Sequence, residues 1–442
     1  MDHVSVSDVV PLIPPEARKR VLPYVVTRII LGARCVNPWR GRKDIVTIED
    51  ENVVLQLSMQ DFELARTVSE QVVKELNPGR VVSANQVLCI HERAAQILDS
   101  KEDFRKDRRG IVMLKDAGGC WYWRMMLPAR YMDMDGIYVD ITSGAVKFEH
   151  LLEYDTIFVQ RLHSWDSFYV LERLRKAGKR IVYDIDDDLF SIPADNPASK
   201  AIGRNEQMAA VECMKLADVV TTTTTTLQGR LESLIGRTPM VVPNSLDPDG
   251  GWLPTPMTGS PDLWKRIFWQ GSNTHAEDWN ECFDAVNHVM QKREDVRVVI
   301  LGYLPPVIQA VANEPHWKGR IEYLEPMEPE SYFQIIKHVR AEVGLAPLQS
   351  NWFNLAKSPI KWLENALIGM PTVASLVGSY TEMEGDREIV LCSTTVEWIE
   401  AIERCLNDGA WRKKIVETAR RKARREYDIH NTARTWKQLL VG

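Results

Sequence analysis

Residues 111 to 425 predict an α/β chain of two doubly wound parallel sheets in tandem, preceded by an accessory α/β region. Three observations carry that prediction. Short apolar runs alternate with amphipathic stretches of helical period, the pattern of a parallel sheet covered by helices. The alternation occurs twice, on either side of a turn-rich stretch, 244–260, that holds Pro248, Gly250, Gly251, Pro254, Pro256 and Gly259. The 442 residues also exceed what one hydrophobic core organises, about 250–300 residues, so two or three packed units are expected.

Taken in order, residues 1–110 form the accessory region. They predict a strand near 45–57 and a helix with Ala65, Val68, Val72 and Leu76 on one face, stopped by Asn77-Pro78-Gly79. A second periodic stretch carries Val87, Ile90, Ala94 and Leu98, and a charged run, 101–109, closes the region. The first doubly wound domain, 111–245, predicts strands at 111–114, 137–139, 156–160, 181–184, 219–223 and 240–242, with a helix over 167–177 ending at Gly178. The six threonines 221–226 read as a β-branched strand running into a helix cap at Thr226. The second domain, 246–425, predicts strands at 267–269, 296–301, 321–323, 343–347 and 372–374, and residues 426–442 a terminal helix. Such sheets bind ligands beyond the carboxyl ends of their strands, so the cleft between the two is the expected site.

Composition excludes several classes. Hydrophobic residues at 45% and charged residues at 26% are the averages of water-soluble globular chains, not of disordered or collagen-like ones. The formal net charge of −6 gives no general attraction to phosphate polymers or anionic lipid. The seven cysteines stand far apart, with no C-x-x-C and no histidine at zinc-ligand spacing, and read as reduced thiols of a cytoplasmic protein. No stretch approaches the roughly 20 apolar residues of a membrane span.

The strongest local signal is Phe353-Asn354-Leu355-Ala356-Lys357-Ser358-Pro359-Ile360-Lys361-Trp362-Leu363-Glu364, running to Gly369-Met370-Pro371. Ser358 reads as the cap of a helix beginning at Pro359 and closing at Gly369. Its amino end, with Lys357 and Lys361, is a site for an anion. Glu364, one turn deeper, is placed to accept hydrogen bonds from a diol, so phosphate followed by ribose is the order of ligand groups. The competing reading is a capped amphipathic helix whose charges are solvated or mutually paired. Gly271-Ser272-Asn273-Thr274-His275 follows the first strand of the second domain and offers a glycine turn, hydroxyls for phosphate and a histidine. Tyr303, at another strand end, offers an aromatic face for a base.

In the first domain, Asp184, Asp186, Asp187 and Asp188 crowd the end of one strand, where their repulsion must be offset by cations, N–H groups or ligand hydroxyls. Asp186-x-Asp188 also fits an oxygen-ligated divalent metal, and Asp187 or Asp188 fits a helix cap. Gly118-Gly119-Cys120-Trp121-Tyr122-Trp123-Arg124 offers a flexible turn at Gly119, the flat faces of Trp121 and Tyr122 for a sugar ring, and Arg124 for an anion. His163, after the 156–160 strand, is a candidate base.

With these residues in place, the sequence resembles nucleotide-sugar glycosyltransferases of the GT-B fold, near the retaining group called glycosyltransferase family 4. The resemblance spans about 111–425. It is carried by the glycine turn with Arg124 and Pro128, the 183–190 acidic block, Ala217-Asp218-Val219-Val220, Val242-Pro243-Asn244, Gly271-Ser272 with His275 and Asp278, Gly344-Leu345-Ala346-Pro347, and the 353–375 segment. It implies two Rossmann-like domains facing a cleft, the first holding the acceptor and the second a nucleoside diphosphate sugar. Glu364 matches the second glutamate of the family's E-x7-E motif and is implied to contact ribose. The first falls at Ala356, which leaves the contact to the transferred sugar unassigned. The family's Arg and Lys pair for the diphosphate is not evident after Gly271, and Ser272, Lys357 and Lys361 stand in for it. No cofactor and no metal is implied, because basic side chains and helix ends neutralise the leaving diphosphate.

The implied reaction is sugar transfer with retention, Lys357 and Lys361 stabilising the departing diphosphate. Asp186, Asp187 or His163 orients the acceptor, and Gly119, Trp121, Tyr122, Arg124, Asp187 and Asn354 line its side. Gly271, Ser272, His275, Tyr303, Ser358 and Glu364 complete the donor site. Two alternatives stay open: transfer onto a modified DNA base, with Arg105, Lys106, Arg108 and Arg109 as a local contact, and a catalytically silent nucleotide-sugar or glycan-binding protein. The acceptor, whether glycan, lipid, protein or modified base, and the oligomeric state are not legible.

Overall fold

The computed structural model describes residues 154–247, 264–327 and 338–441 continuously, together with shorter stretches between 22 and 152 and positions 332, 335 and 336. The chain divides into two compact units, the larger of which contains 156–442 together with 114–133 and 140–148.

In the smaller unit, β1 (Arg34–Val36), β2 (Ile45–Asp50) and β3 (Val53–Ser58) form an antiparallel sheet in that order. The single strand expected at 45–57 is therefore a hairpin, paired from Ile45 opposite Ser58 to Asp50 opposite Val53. An 18-residue helix, Met59–Leu76, follows. Ala65, Val68 and Val72 are buried as expected, and they pack in one cluster with Leu22, Val25, Val26, Ile90, Ala94 and Leu98. Leu76 is not part of that face and is 41% exposed at the helix end. The 77–79 stop and the 101–109 charged run lie outside the described residues. Strands β4 (Ile111–Lys115) and β5 (Gly136–Asp140) form where 111–114 and 137–139 are expected.

In the larger unit, β6 (Thr156–Gln160), β7 (Arg180–Asp184), β8 (Val219–Thr222) and β9 (Met240–Val241) pair in parallel, each with the next. Helices return the chain between them. Trp165–Lys176 is capped by the Ser164 hydroxyl and ends before Gly178, whose φ of 79° lets the chain reverse. Thr225–Ile235 is capped by Thr224, two residues before the expected Thr226. Burial explains these strands: Ile157, Phe158, Val159, Ile181, Val182 and Tyr183 are all inaccessible, as expected where helices cover both faces.

The second sheet is wholly parallel, in the order β12-β11-β10-β13-β14-β15. Its strands are β10 (Lys265–Gly271), β11 (Val296–Gly302), β12 (Ile321–Leu324), β13 (Val343–Ala346), β14 (Thr372–Ser375) and β15 (Val390–Cys392). The chain winds from β10 outward to β12, then returns to β13 on the other side. The loops after β10 and β13 consequently diverge and leave a crevice, the switch point at which such sheets take ligands.

The final helix, Ile429–Val441, does not stay with this sheet. Its Trp436 ring packs 4.9 Å from Phe158 of β6, and Thr156 Oγ1 donates to the Leu440 carbonyl at 2.9 Å. Where the chain crosses between sheets, the Leu246 N–H donates to the Tyr427 carbonyl (2.9 Å) and the Ile429 N–H to the Leu246 carbonyl (3.0 Å). The two crossings are thus tied side by side.

Candidate functional site

The crevice is built from the segments that follow β10 and β13. After β13, Asn351 caps a short helix, Trp352–Leu355, and a second helix runs Ile360–Ile368, closed by Gly369 at φ 88°. This nine-residue helix is buried from Lys361 to Ile368, so its amino end is held by the core. Its start corrects the expected cap. Pro359 occupies the cap position and Ser358 makes no capping bond, because its hydroxyl accepts the Asn244 Nδ2 amide at 2.8 Å. The loop is held from behind by Ser379, which donates to the Lys357 carbonyl (2.7 Å), and across the crevice by Thr224, which donates to the Ala356 carbonyl (2.9 Å).

Three nitrogens converge here. Lys361, 6% exposed, donates to His275 Nε2 at 3.3 Å. Burial, then the Lys357 charge, lowers the Lys361 pKa to about 8. His275 donates from Nδ1 to Asp278 at 2.8 Å; burial and the two lysines push its pKa down to about 4, so the ring is neutral at neutral pH. Lys357 lies 4.2 Å over the Phe353 ring and reaches Asp187 Oδ1 at 3.3 Å. Burial acts to raise the Asp187 pKa, but Lys357 and Arg161 prevail and hold it at about 2. Glu364, buried deeper, accepts Gln270 Nε2 (2.9 Å) and Tyr332 Oη (2.7 Å) on one carboxylate oxygen. Burial still raises its pKa above the ordinary value. Lys357, Lys361 and His275 thus meet at one end of the helix, and Lys361 and Glu364 share a face, as the spacing predicts.

The opposing acidic block divides its tasks. Asp184 is structural. It receives a two-pronged ion pair from Arg124 (3.0 and 2.7 Å) and the Thr221 hydroxyl (2.7 Å). Arg124 also donates to the Val242 carbonyl and Asn244 Oδ1 and lies 5.1 Å over Trp436. This corrects the expected role of Arg124 in binding an anionic substrate: the side chain is fully buried and committed to the core. Asp188 accepts the Phe190 N–H at 3.0 Å, forming a local turn. Asp186 and Asp187 each lie 3.6 Å from Arg161 Nη1, which also approaches Cys120 Sγ at 3.1 Å. Burial raises the Asp186 pKa against the Arg161 charge. The thiol and two carboxylates converge as a metal's ligands would, but the guanidinium occupies the cationic place among them. Arg161 adopts φ 54°, uncommon for a residue bearing a Cβ, and this conformation turns its side chain into the cluster.

The remaining expected residues fall as follows. Gly119 and Trp121 lie outside the described residues. Tyr122 is 3% exposed in the core cluster with Leu127 and Leu246, which corrects the expectation of a ring open to a sugar. Asn354 is also turned inward, its Nδ2 donating to Asp278 (2.8 Å) and the Gln349 carbonyl (3.0 Å). His163 donates to the carbonyl of its neighbour Arg161 at 2.6 Å. Gly271 is required by packing, since a Cβ there would stand 2.5 Å from the Trp269 ring; its carbonyl accepts the Tyr303 N–H. Ser272 is exposed and bonded to the Thr274 hydroxyl at 2.7 Å. Tyr303 borders a cavity of about 130 Å³ together with Asn196, Asn273, Thr274, Asp278 and Asn354. Sequence reasoning missed Arg161, Gln270 and Tyr332, whose side-chain partners in the cluster are 25 or more residues away, and gave Asp278 no role although it stands one helical turn after His275.

Two parallel sheets and a terminal helix returned to the first of them are the arrangement of the GT-B fold. Residues 282–438 match the family model described as glycosyl transferase-like. Among solved structures, Anabaena HepE in complex with UDP and glucose is similar at TM-score 0.55 and 15% identity, covering 75% of this chain and 99% of that one. Sucrose-phosphate synthase from Thermosynechococcus elongatus is similar at TM-score 0.55 and 14% identity, covering 75% and 98%. A UDP-forming trehalose-phosphate synthase from Burkholderia xenovorans reaches TM-score 0.51 at 14% identity, again covering 75% and 98%. These are similarities of fold. A search of curated protein sequences finds no match. Among the described residues no helix is long and apolar enough to cross a membrane.

Proposed function

We propose that the chain is a glycosyltransferase that uses a nucleoside diphosphate sugar, with residues 246–425 holding the donor and 111–245 the acceptor. The observation that carries the reading is the convergence of Lys361, Lys357 and the neutral His275 at the amino end of the Ile360–Ile368 helix. A buried ammonium whose pKa is depressed beside a second ammonium is costly without an anion, and a diphosphate supplies one. Glu364 then meets the ribose hydroxyls, and Tyr303 lies on the side of the base. HepE, which shares the fold, was crystallised with UDP-glucose and with UDP, and this favours the same class of donor here.

In the reaction the bond between the anomeric carbon and the diphosphate oxygen breaks, and the acceptor oxygen bonds to that carbon. The acceptor's proton leaves to the departing phosphate, with retention of configuration. Lys357 and Lys361 stabilise the charge that develops on the leaving group. Lys357 is paired with Asp187 before the donor arrives, so donor binding exchanges a carboxylate for a phosphate on that ammonium. Asp187 and Asp186 are then the carboxylates nearest the acceptor hydroxyl. Ala356, buried and lacking the family's carboxylate, favours a second reading as a silent nucleotide-sugar binder. Incubating the purified protein with UDP-, GDP- and ADP-sugars and measuring nucleoside diphosphate release separates the two. Binding shown by a thermal shift without release under any acceptor supports the silent reading; neither binding nor release refutes both.

A further inference from the structure

Asp278 has no assigned role, yet it is the best-connected carboxylate in the pocket. It is 4% exposed, on the short helical turn after β10, and each oxygen has a separate task. Oδ1 accepts the Gln349 N–H (2.9 Å) and Asn354 Nδ2 (2.8 Å), which tie the loop after β13 to the loop after β10. Oδ2 accepts from His275 Nδ1 at 2.8 Å. A carboxylate can only accept, so the proton of the neutral ring must lie on Nδ1. Nε2 is then a lone pair, and it faces Lys361 Nζ at 3.3 Å.

We infer that Asp278 is a positioning residue: by fixing His275 as the Nδ1–H tautomer it makes Nε2 the acceptor that aims the Lys361 ammonium at the diphosphate. Lys361 uses one N–H on the ring and keeps two for phosphate oxygens. With the other tautomer, an Nε2–H would face an ammonium, donor against donor, and the lysine would be displaced or lose its proton. The charged groups acting on the ring are Lys361 and Lys357 from the segment after β13, Asp278 from its own turn, and Asp187 from across the crevice. The destination of the ammonium rests on the donor reading above; the tautomer does not.

The test uses the full-length protein with 15N-labelled histidine, the His275 signals being assigned by their loss in His275→Gln. In the ligand-free wild type near pH 7, long-range 15N–1H spectra should show protonated Nδ1 and bare Nε2; the reverse overturns the inference whatever the protein binds. In Asp278→Asn the amide oxygen can keep Gln349 and Asn354 while its NH2 faces Nδ1, which moves the ring proton to Nε2. UDP and inorganic pyrophosphate should then bind at least tenfold more weakly by calorimetry. An Asp278→Asn protein with the wild-type tautomer, or with unchanged affinity, overturns it. If Asp278→Asn does not fold, His275→Gln and His275→Ala replace it. A glutamine amide can donate to Asp278 and accept from Lys361, so it should bind severalfold more tightly than alanine, and equal affinity counts against the inference. Wild-type protein that binds neither probe refutes the donor reading, and the spectra alone then decide the tautomer.

Discussion

Replacing Lys361 with methionine probes the buried cation of the pocket. The side chain keeps its length and loses the ammonium, and because Lys361 is 6% exposed the change removes a poorly solvated cation. Burial lowers the Lys361 pKa, so the folded state holds this charge at a cost, and the melting temperature should hold or rise without it. The cost should fall on ligand binding. A charge-assisted hydrogen bond is worth about 1.5–3 kcal/mol, so UDP affinity should drop about tenfold to a hundredfold. His275 reports the same event independently. Its pKa of about 4 reflects burial first and Lys361 second, so K361M should raise it, with burial keeping it below the ordinary value. Calorimetry measures the first effect and an NMR titration of the histidine signals the second. A variant that binds UDP like the wild type while His275 still titrates near 4 would refute the reasoning.

Further outcomes follow from the same geometry. UDP binding should weaken as pH rises through about 8, where Lys361 loses its proton in the empty pocket. Stability should move the other way: between about 8 and the ordinary 10.5 the unfolded chain binds the extra proton, so Lys361 makes folding more favourable with rising pH, a slope that should vanish in K361M by chemical denaturation at several pH values. Lys357→Ala should reduce turnover by about 10²–10³, the scale for losing one preorganised group at a developing negative charge. It should also let the Asp187 pKa climb from about 2, since burial then acts unopposed by that lysine; near-normal sugar transfer would remove Lys357 from the mechanism. Arg124→Ala should lose about 3–5 kcal/mol in urea unfolding by stranding the buried Asp184, and a variant that melts normally but cannot transfer would restore Arg124 to the substrate site.

Much of the fold was legible because strand identity is written locally. The run Thr156–Gln160 coincides with the expected strand at both ends, and most others differ by a residue or two, because buried parallel strands read as unbroken apolar runs. The hairpin at 45–58 was read as one strand because only two residues separate its arms, and β15 was missed because three residues give too little pattern. The cationic cluster was legible for the same local reason: Lys357, Lys361 and Glu364 lie within eight residues, and helical spacing alone puts the last two together. What sequence could not supply was which partner each polar group takes. Ser358 looks like a cap until Asn244, 114 residues away, claims its hydroxyl. Four neighbouring aspartates look equivalent until Arg124, 60 residues from Asp184, and Lys357, 170 residues from Asp187, assign one to the core and another to the crevice. The φ of 54° at Arg161 has no sequence signature at all.

The return of the Ile429–Val441 helix means that the order of residues along the chain is a poor guide to where the protein can be cut. Trp436 and Leu440 complete the packing of β6, so a fragment ending near residue 245 would lack part of its own interior, although its sequence appears finished there. Splitting this protein into separately expressed lobes would require grafting the last thirteen-residue helix onto the first lobe, with the paired crossings at Leu246 and Tyr427–Ile429 as the natural seam.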